Sequence, residues 1–135
     1  YMMSLYNHHF NDLNLSIREK ICQINNLISK HEEEIANPIL EYISKREDLN
    51  LIGKSKISNK NRAPTISITN KNKSSEQMSK ILVSNNIATR NDNFYAWRCL
   101  EALKINTDDG LVRLSLTHYN EIKDSEKVIE ALKKV

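Results

Sequence analysis

Two glycines and two cysteines stand among 135 residues, and each scarcity removes a class of chemistry. A phosphate loop of the G-x-x-x-x-G-K-S/T kind would need a glycine five positions before Gly53 of the GKS triplet, where the chain has Asp48. That motif is excluded. Cys22 and Cys99 lie far apart in sequence of helical character, with no second Cys or His at metal-ligand spacing, so both read as reduced and structural. His8 and His9 are adjacent and His31 is a lone histidine on a charged helix face, so no metal site is expected. Apolar runs fall well short of the ~20 residues that a bilayer-spanning helix needs, and no cationic, then apolar leader opens the chain. The expectation is a cytoplasmic protein with no membrane partner. A net charge of +3 is small. The cations Lys54, Lys56, Lys60 and Arg62 lack interleaved aromatics for stacking bases, so the segment reads as a solvated loop and no nucleic acid is expected. Tyr1 stands before Met2 and Met3, a hint of a piece cut from something longer.

What the chain does have is periodicity. From Leu13, apolar residues at Ile17, Ile21, Ile24, Leu27, Ile28 and Ile35 recur at helical spacing and predict a long amphipathic helix to about Lys45, with either Asn37 capping a new turn that has Pro38 at its first position or Pro38 kinking the helix. Leu49 to Ile52 predicts a short strand. Ala63 to Thr69 predicts another, with Pro64 favouring an edge or a strand start. A helix follows Ser74 and Ser75, then a short strand over Ile87 to Thr89, a helix over Phe94 to Leu103, a strand over Leu111 to Thr117 and a closing helix over Ser125 to Lys133. The fold class is α/β, more closely an α+β small domain: a long N-terminal helix, then a small mixed or antiparallel sheet covered by helices. The long helix has more apolar surface than such a layer covers, which again suggests a missing partner domain.

The segment GLVRLSLTHYN, residues 110–120, places Val112, Leu114 and Leu116 on one strand face and Arg113, Ser115 and Thr117 on the other. Two readings of Arg113 stand open: it faces water, or it points into a cleft and grips an anion through the planar fork of its guanidinium.

Taken together, RAPTISI at 62–68, NFYA at 93–96 and GLVRLSLTHYN before a helix ending EALKKV resemble the C-terminal small domain of class V pyridoxal-phosphate enzymes, with the cysteine desulfurase-like proteins as the nearest group. The resemblance implies residues 1–48 as the long helix linking a large cofactor domain to the small one, residues 49–135 as the small domain, and the large pyridoxal-phosphate-binding domain as absent from this chain. It implies that Arg113 binds the carboxylate of an amino-acid substrate, with Arg90, Phe94 and Tyr95 as further substrate-contact candidates. Tyr95 falls near the position where desulfurases carry a nucleophilic cysteine, and the Schiff-base lysine belongs upstream of the matched region. On this reading the chain has no catalytic residue of its own, binds no cofactor by itself and belongs to a homodimeric parent. A threonine usually follows the family's Tyr-Asn pair. Here Glu121 follows Tyr119 and Asn120, so the last helix is expected to be capped by Asn120 or Asp124. Rival readings are a stand-alone, non-catalytic binding or dimerisation module with the same fold, and an anion or RNA binder using the loop from Lys54 to Arg62.

Overall fold

The computed structural model describes residues 1–10, 12, 14–58 and 61–135, so Leu13 and Lys60 lie outside the described residues. The elements are α1 (Met2–His9), α2 (Ile17–Ser44), β1 (Leu49–Ile52), β2 (Thr65–Asn70), α3 (Ser75–Ser84), β3 (Arg90–Asp92), α4 (Trp97–Ala102), β4 (Leu111–Ser115) and α5 (Ile122–Leu132). Among the described residues no helix is long and apolar enough to cross a membrane.

Local chemistry explains where the helices start. Ser16 and Ser74 open α2 and α3 as reciprocal capping boxes: each serine side chain accepts the backbone N–H three residues on, and Glu19 or Gln77 reaches back to the serine N–H. The expected long helix is present as α2, and it runs unbroken through Pro38. Proline lacks the N–H that would bond back one turn. Burial of Ile35, Ala36, Ile39, Leu40 and Ile43 around it anchors that stretch to the core. The first turns differ from expectation, because Ile17 is 69% exposed and Ile21 is also exposed. Helix α1 packs against α2, placing Tyr6 in a buried position with its hydroxyl donating to the Asp12 carbonyl at 3.1 Å.

The four strands form one antiparallel sheet in the order β1-β2-β4-β3. Register pairs Leu51 with Ile68, Ile68 with Val112 and Ile66 with Leu114, so these residues share one face. That face packs beneath the second half of α2, α3 and α5, and Ile57 joins it from the connecting loop. Asn37 fixes this loop residue by accepting from the Ile57 N–H at 2.9 Å and donating to its carbonyl at 3.1 Å. Pro64 stands at the start of β2, consistent with its missing donor. At the far corner Arg46 makes a bidentate pair with Asp48 at 2.7 and 2.6 Å and also donates to Tyr42 Oη and the Leu132 carbonyl, each at 3.0 Å. This clamp ties the ends of α2 and α5 to β1. The guanidinium holds the Asp48 carboxyl down at about 2.

Several boundaries differ from the sequence reading. The short strand lies at Arg90–Asp92, not over Ile87 to Thr89. Asn86 adopts a left-handed φ of 60° and the Ile87 N–H returns to the Leu82 carbonyl at 3.0 Å, which spends those residues on closing α3. The helix expected from Phe94 begins only at Trp97, since Phe94 and Tyr95 have φ of 53° and 59°. The last helix begins at Ile122, with Glu121 at the N-cap position and Asp124 accepting the Glu121 N–H at 3.0 Å. Asp124 therefore takes part in the cap, though from inside the first turn, and that contact together with Asn120 and Lys127 lowers its pKa. Asn120 instead stabilises the corner before the helix, accepting from the Thr117 N–H at 2.9 Å while His31 bonds its carbonyl at 2.8 Å. Its neighbour Tyr119 is exposed and packs into nothing deeper. Cys22 and Cys99 are both free thiols, and both are exposed, so neither supports the core as expected.

Candidate functional site on the uncovered sheet face

The helices that build the core cover one face of the sheet, and the other carries Ser67, Arg90 and Arg113, with Leu111 buried at its β4 start. Arg113 stands on this second face near the middle of β4, opposite Ser67 of β2 on one side and Arg90 of β3 on the other. Directly opposed residues of antiparallel strands project to the same face, so Ser67, Arg113 and Arg90 form one cross-strand row. The alternation read from the sequence holds here. Val112 and Leu114 are buried in the core while Arg113 is half-buried on the far side.

The guanidinium of Arg113 lies against the ring of Phe94, with its central carbon 4.2 Å from the ring centroid. This stacking occupies one guanidinium face and leaves the donor edge free. Among the described residues neither Arg113 nor Arg90 is within ion-pairing distance of a carboxylate. Thr89 Oγ1 donates to the Arg113 carbonyl at 2.8 Å, pinning the strand beneath the side chain.

Phe94 reaches this place through an unusual loop. Asn93 makes an Asx turn, its Oδ1 accepting the Tyr95 N–H at 3.0 Å and its carbonyl accepting the Ala96 N–H at 2.9 Å. Two consecutive left-handed non-glycine residues follow, a conformation that costs roughly 1–2 kcal/mol per residue. Gly110 fixes the base of the loop. A Cβ there would meet the Asp92 carbonyl carbon and oxygen at 2.3 Å. Further support comes from Ser75, buried at the start of α3, which donates to the Asp109 carbonyl at 2.5 Å and accepts from Asn91 at 3.2 Å.

Of the residues singled out in the sequence, Arg113, Phe94 and Arg90 are thus brought together. Tyr95 is not: its side chain is 98% exposed. Arg62, assigned to the solvated cationic loop, is engaged with the Lys54 and Thr65 carbonyls. Gly110 escaped sequence reading, although its place just before the β4 pattern was the available signal.

The residues present do not fit a pyridoxal-phosphate site. Buried polar side chains among the described residues are Ser75, Ser79 and Ser125, so no lysine is held desolvated as a Schiff-base lysine requires, and Lys104 is exposed. Of the two glycines, Gly110 is sealed against the β3 backbone and Gly53 sits alone in a turn, so neither contributes to a glycine-rich phosphate cradle. Among the described residues no cluster of three His, Cys, Asp or Glu is placed to hold a metal ion.

Comparison with known proteins bears on this arrangement. Residues 20–128 match the family described as Aminotransferase class-V. The aminotransferase-like protein FGM3 of Gibberella zeae is 28% identical over 109 residues, which cover 80% of this chain and 27% of that protein. In fold, the chain is similar to a cysteine desulfurase from Thermococcus onnurineus, with a TM-score of 0.70 at 22% identity over 85% of this chain and 28% of the other. It is likewise similar to a NifS-like protein from Rickettsia africae, with a TM-score of 0.66 at 20% identity over 85% and 30%. The chain spans less than a third of the length of each of these proteins.

Proposed function

Because the chain belongs to the aminotransferase class-V family, we propose that it serves as the substrate-gripping small domain of a pyridoxal-phosphate-dependent enzyme acting on an amino acid, with Arg113 binding the substrate carboxylate. Residues 49–135 are the small domain on this reading and residues 1–48 lead into it. The cofactor-holding parts belong to the length that the relatives have and this chain lacks, and the whole enzyme is a homodimer. When bound, the cofactor supplies the electron sink for breaking a bond at the substrate's α-carbon. This chain's residues supply orientation. A charge-assisted hydrogen bond contributes about 1.5–3 kcal/mol, and the two-pronged geometry of arginine with carboxylate fixes which substrate bond faces the chemistry.

The observation that carries the proposal is the state of Arg113: on the uncovered sheet face, its plane set by Phe94, and without a carboxylate partner among the described residues. Tyr95 bears on the reaction type, because a phenol forms no persulfide and the nearest thiol, Cys99, lies on α4, beyond the loop. The chemistry supported is therefore amino-acid transformation without a persulfide formed on this loop. The test is NMR titration of the arginine Nε–H signals with propionate at fixed ionic strength. A saturable shift at Arg113 in the wild type, with propionate affinity read from the backbone amides of β4 weakened in Arg113→Lys, supports the grip, and an Arg113 signal indifferent to propionate contradicts it.

A further inference from the structure

The row that holds Arg113 carries a second cation that the grip on one carboxylate does not use. Arg90 is the direct cross-strand partner of Arg113, on the same face and exposed. Like charges placed directly opposite each other in an antiparallel pair are destabilising, and here nothing in the row offsets them. Ser67 on the other side of Arg113 is neutral, and so is Ile52 beyond it on β1. The next outward residue of β3 is Asp92, whose carboxylate accepts the Asn93 N–H at 2.7 Å and pairs with neither arginine. A pair of arginines with two positive charges and, among the described residues, no carboxylate paired with either is complementary to a ligand bearing two negative groups.

The spacing narrows the ligand further. Opposed Cα atoms in an antiparallel pair are about 4.5–5.5 Å apart, and Phe94 covers one face of the Arg113 guanidinium, so a carboxylate must approach its edge. Arg90 has no such cover and is free to meet a group a short chain away. We infer that Arg90 and Arg113 together select an amino acid with an acidic side chain, the α-carboxylate on Arg113 and the second carboxylate on Arg90. This inference rests on the assignment of Arg113 as the carboxylate grip.

The test compares succinate, a short dicarboxylate, with propionate on the wild-type chain, Arg90→Gln and Arg113→Gln, at constant ionic strength, with arginine Nε–H shifts as readout in the wild type and backbone amide shifts of β3 and β4 in all three. Folding of each variant is checked from its amide spectrum. In the wild type, succinate moves both arginine signals and binds about five-fold tighter than propionate, the gain of one added exposed ion pair. In Arg90→Gln the advantage falls to the statistical one of carrying two identical carboxylates, while propionate affinity falls by less than succinate affinity, by the attraction of the removed charge alone. An equal succinate preference with and without Arg90, or a succinate shift confined to Arg113, overturns the inference and leaves the grip standing. Undiminished propionate binding in Arg113→Gln, or no saturable shift at either arginine, overturns both.

Discussion

Gly110→Ala is the substitution that most sharply couples the fold to the site. At φ of +72° an added Cβ is strained by the left-handed conformation alone, by roughly 1–2 kcal/mol. It would also meet the Asp92 carbonyl carbon and oxygen at 2.3 Å and the Asn93 nitrogen at 2.7 Å, all backbone atoms with no rotamer to yield. Restoring ordinary contact requires the start of β4 and the end of β3 to part by about 1 Å, which strains a ladder that has only the pairs Arg90–Arg113, Asn91–Val112 and Asp92–Leu111. The total loss is expected at about 2–4 kcal/mol, within the range of substitutions that break a special backbone position. Urea denaturation read by circular dichroism measures it, and amide exchange at residues 90–92 locates it. The local consequence is that Phe94 leaves Arg113, so carboxylate affinity falls together with β3 protection. A loss below about 1 kcal/mol with unchanged exchange on β3 would mean that the close approach of Gly110 to Asp92 does not hold β3 in place.

The Arg46–Asp48 clamp gives a pH dependence with a definite sign. The folded Asp48 carboxyl sits at about 2 against an ordinary 3.8, so its contribution is complete above pH ~4 and is lost as pH falls toward 2. Allowing for partial exposure, about 1 kcal/mol disappears across that window; Asp48→Asn should flatten the stability profile there, and an unchanged acid limb in the variant counts against the clamp. Both thiols should alkylate rapidly in the folded chain because both are exposed. Incubation of the assembled enzyme with cysteine should leave residues 93–96 unmodified by mass spectrometry and add no persulfide at Cys99. A sulfur adduct at Cys99 would restore the desulfurase chemistry that Tyr95 argues against.

The legible parts of this chain were those with a strong period or a cap. The α2 stripe from Ile24 on, the alternation around Arg113 and the serines before α3 rest on residues that act through their own neighbours, and those elements stand where their patterns lay. The illegible parts depend on contacts across the chain. Phe94 and Tyr95 sit in a segment of adequate helix formers, and only the Asn93 turn and the approach of Gly110 to Asp92 hold them left-handed. The position of β3 is set by register with β4 and by Asn91 reaching Ser75, neither of which leaves a mark in local sequence. The candidate site was therefore half visible. Arg113 announced itself by interrupting an apolar strand, and the family resemblance named its role, but its aromatic support and its opposing arginine became evident only when the strands were aligned.

The most direct measurement is propionate affinity, followed through the backbone amide signals of the whole chain, in Arg113→Gln beside Arg62→Gln. The account predicts that Arg113→Gln abolishes saturable binding and that Arg62→Gln, which removes a cation already committed to the Lys54 and Thr65 carbonyls, leaves it intact. Binding that survives in Arg113→Gln and disappears in Arg62→Gln would contradict the account and place the anion site on the cationic loop instead.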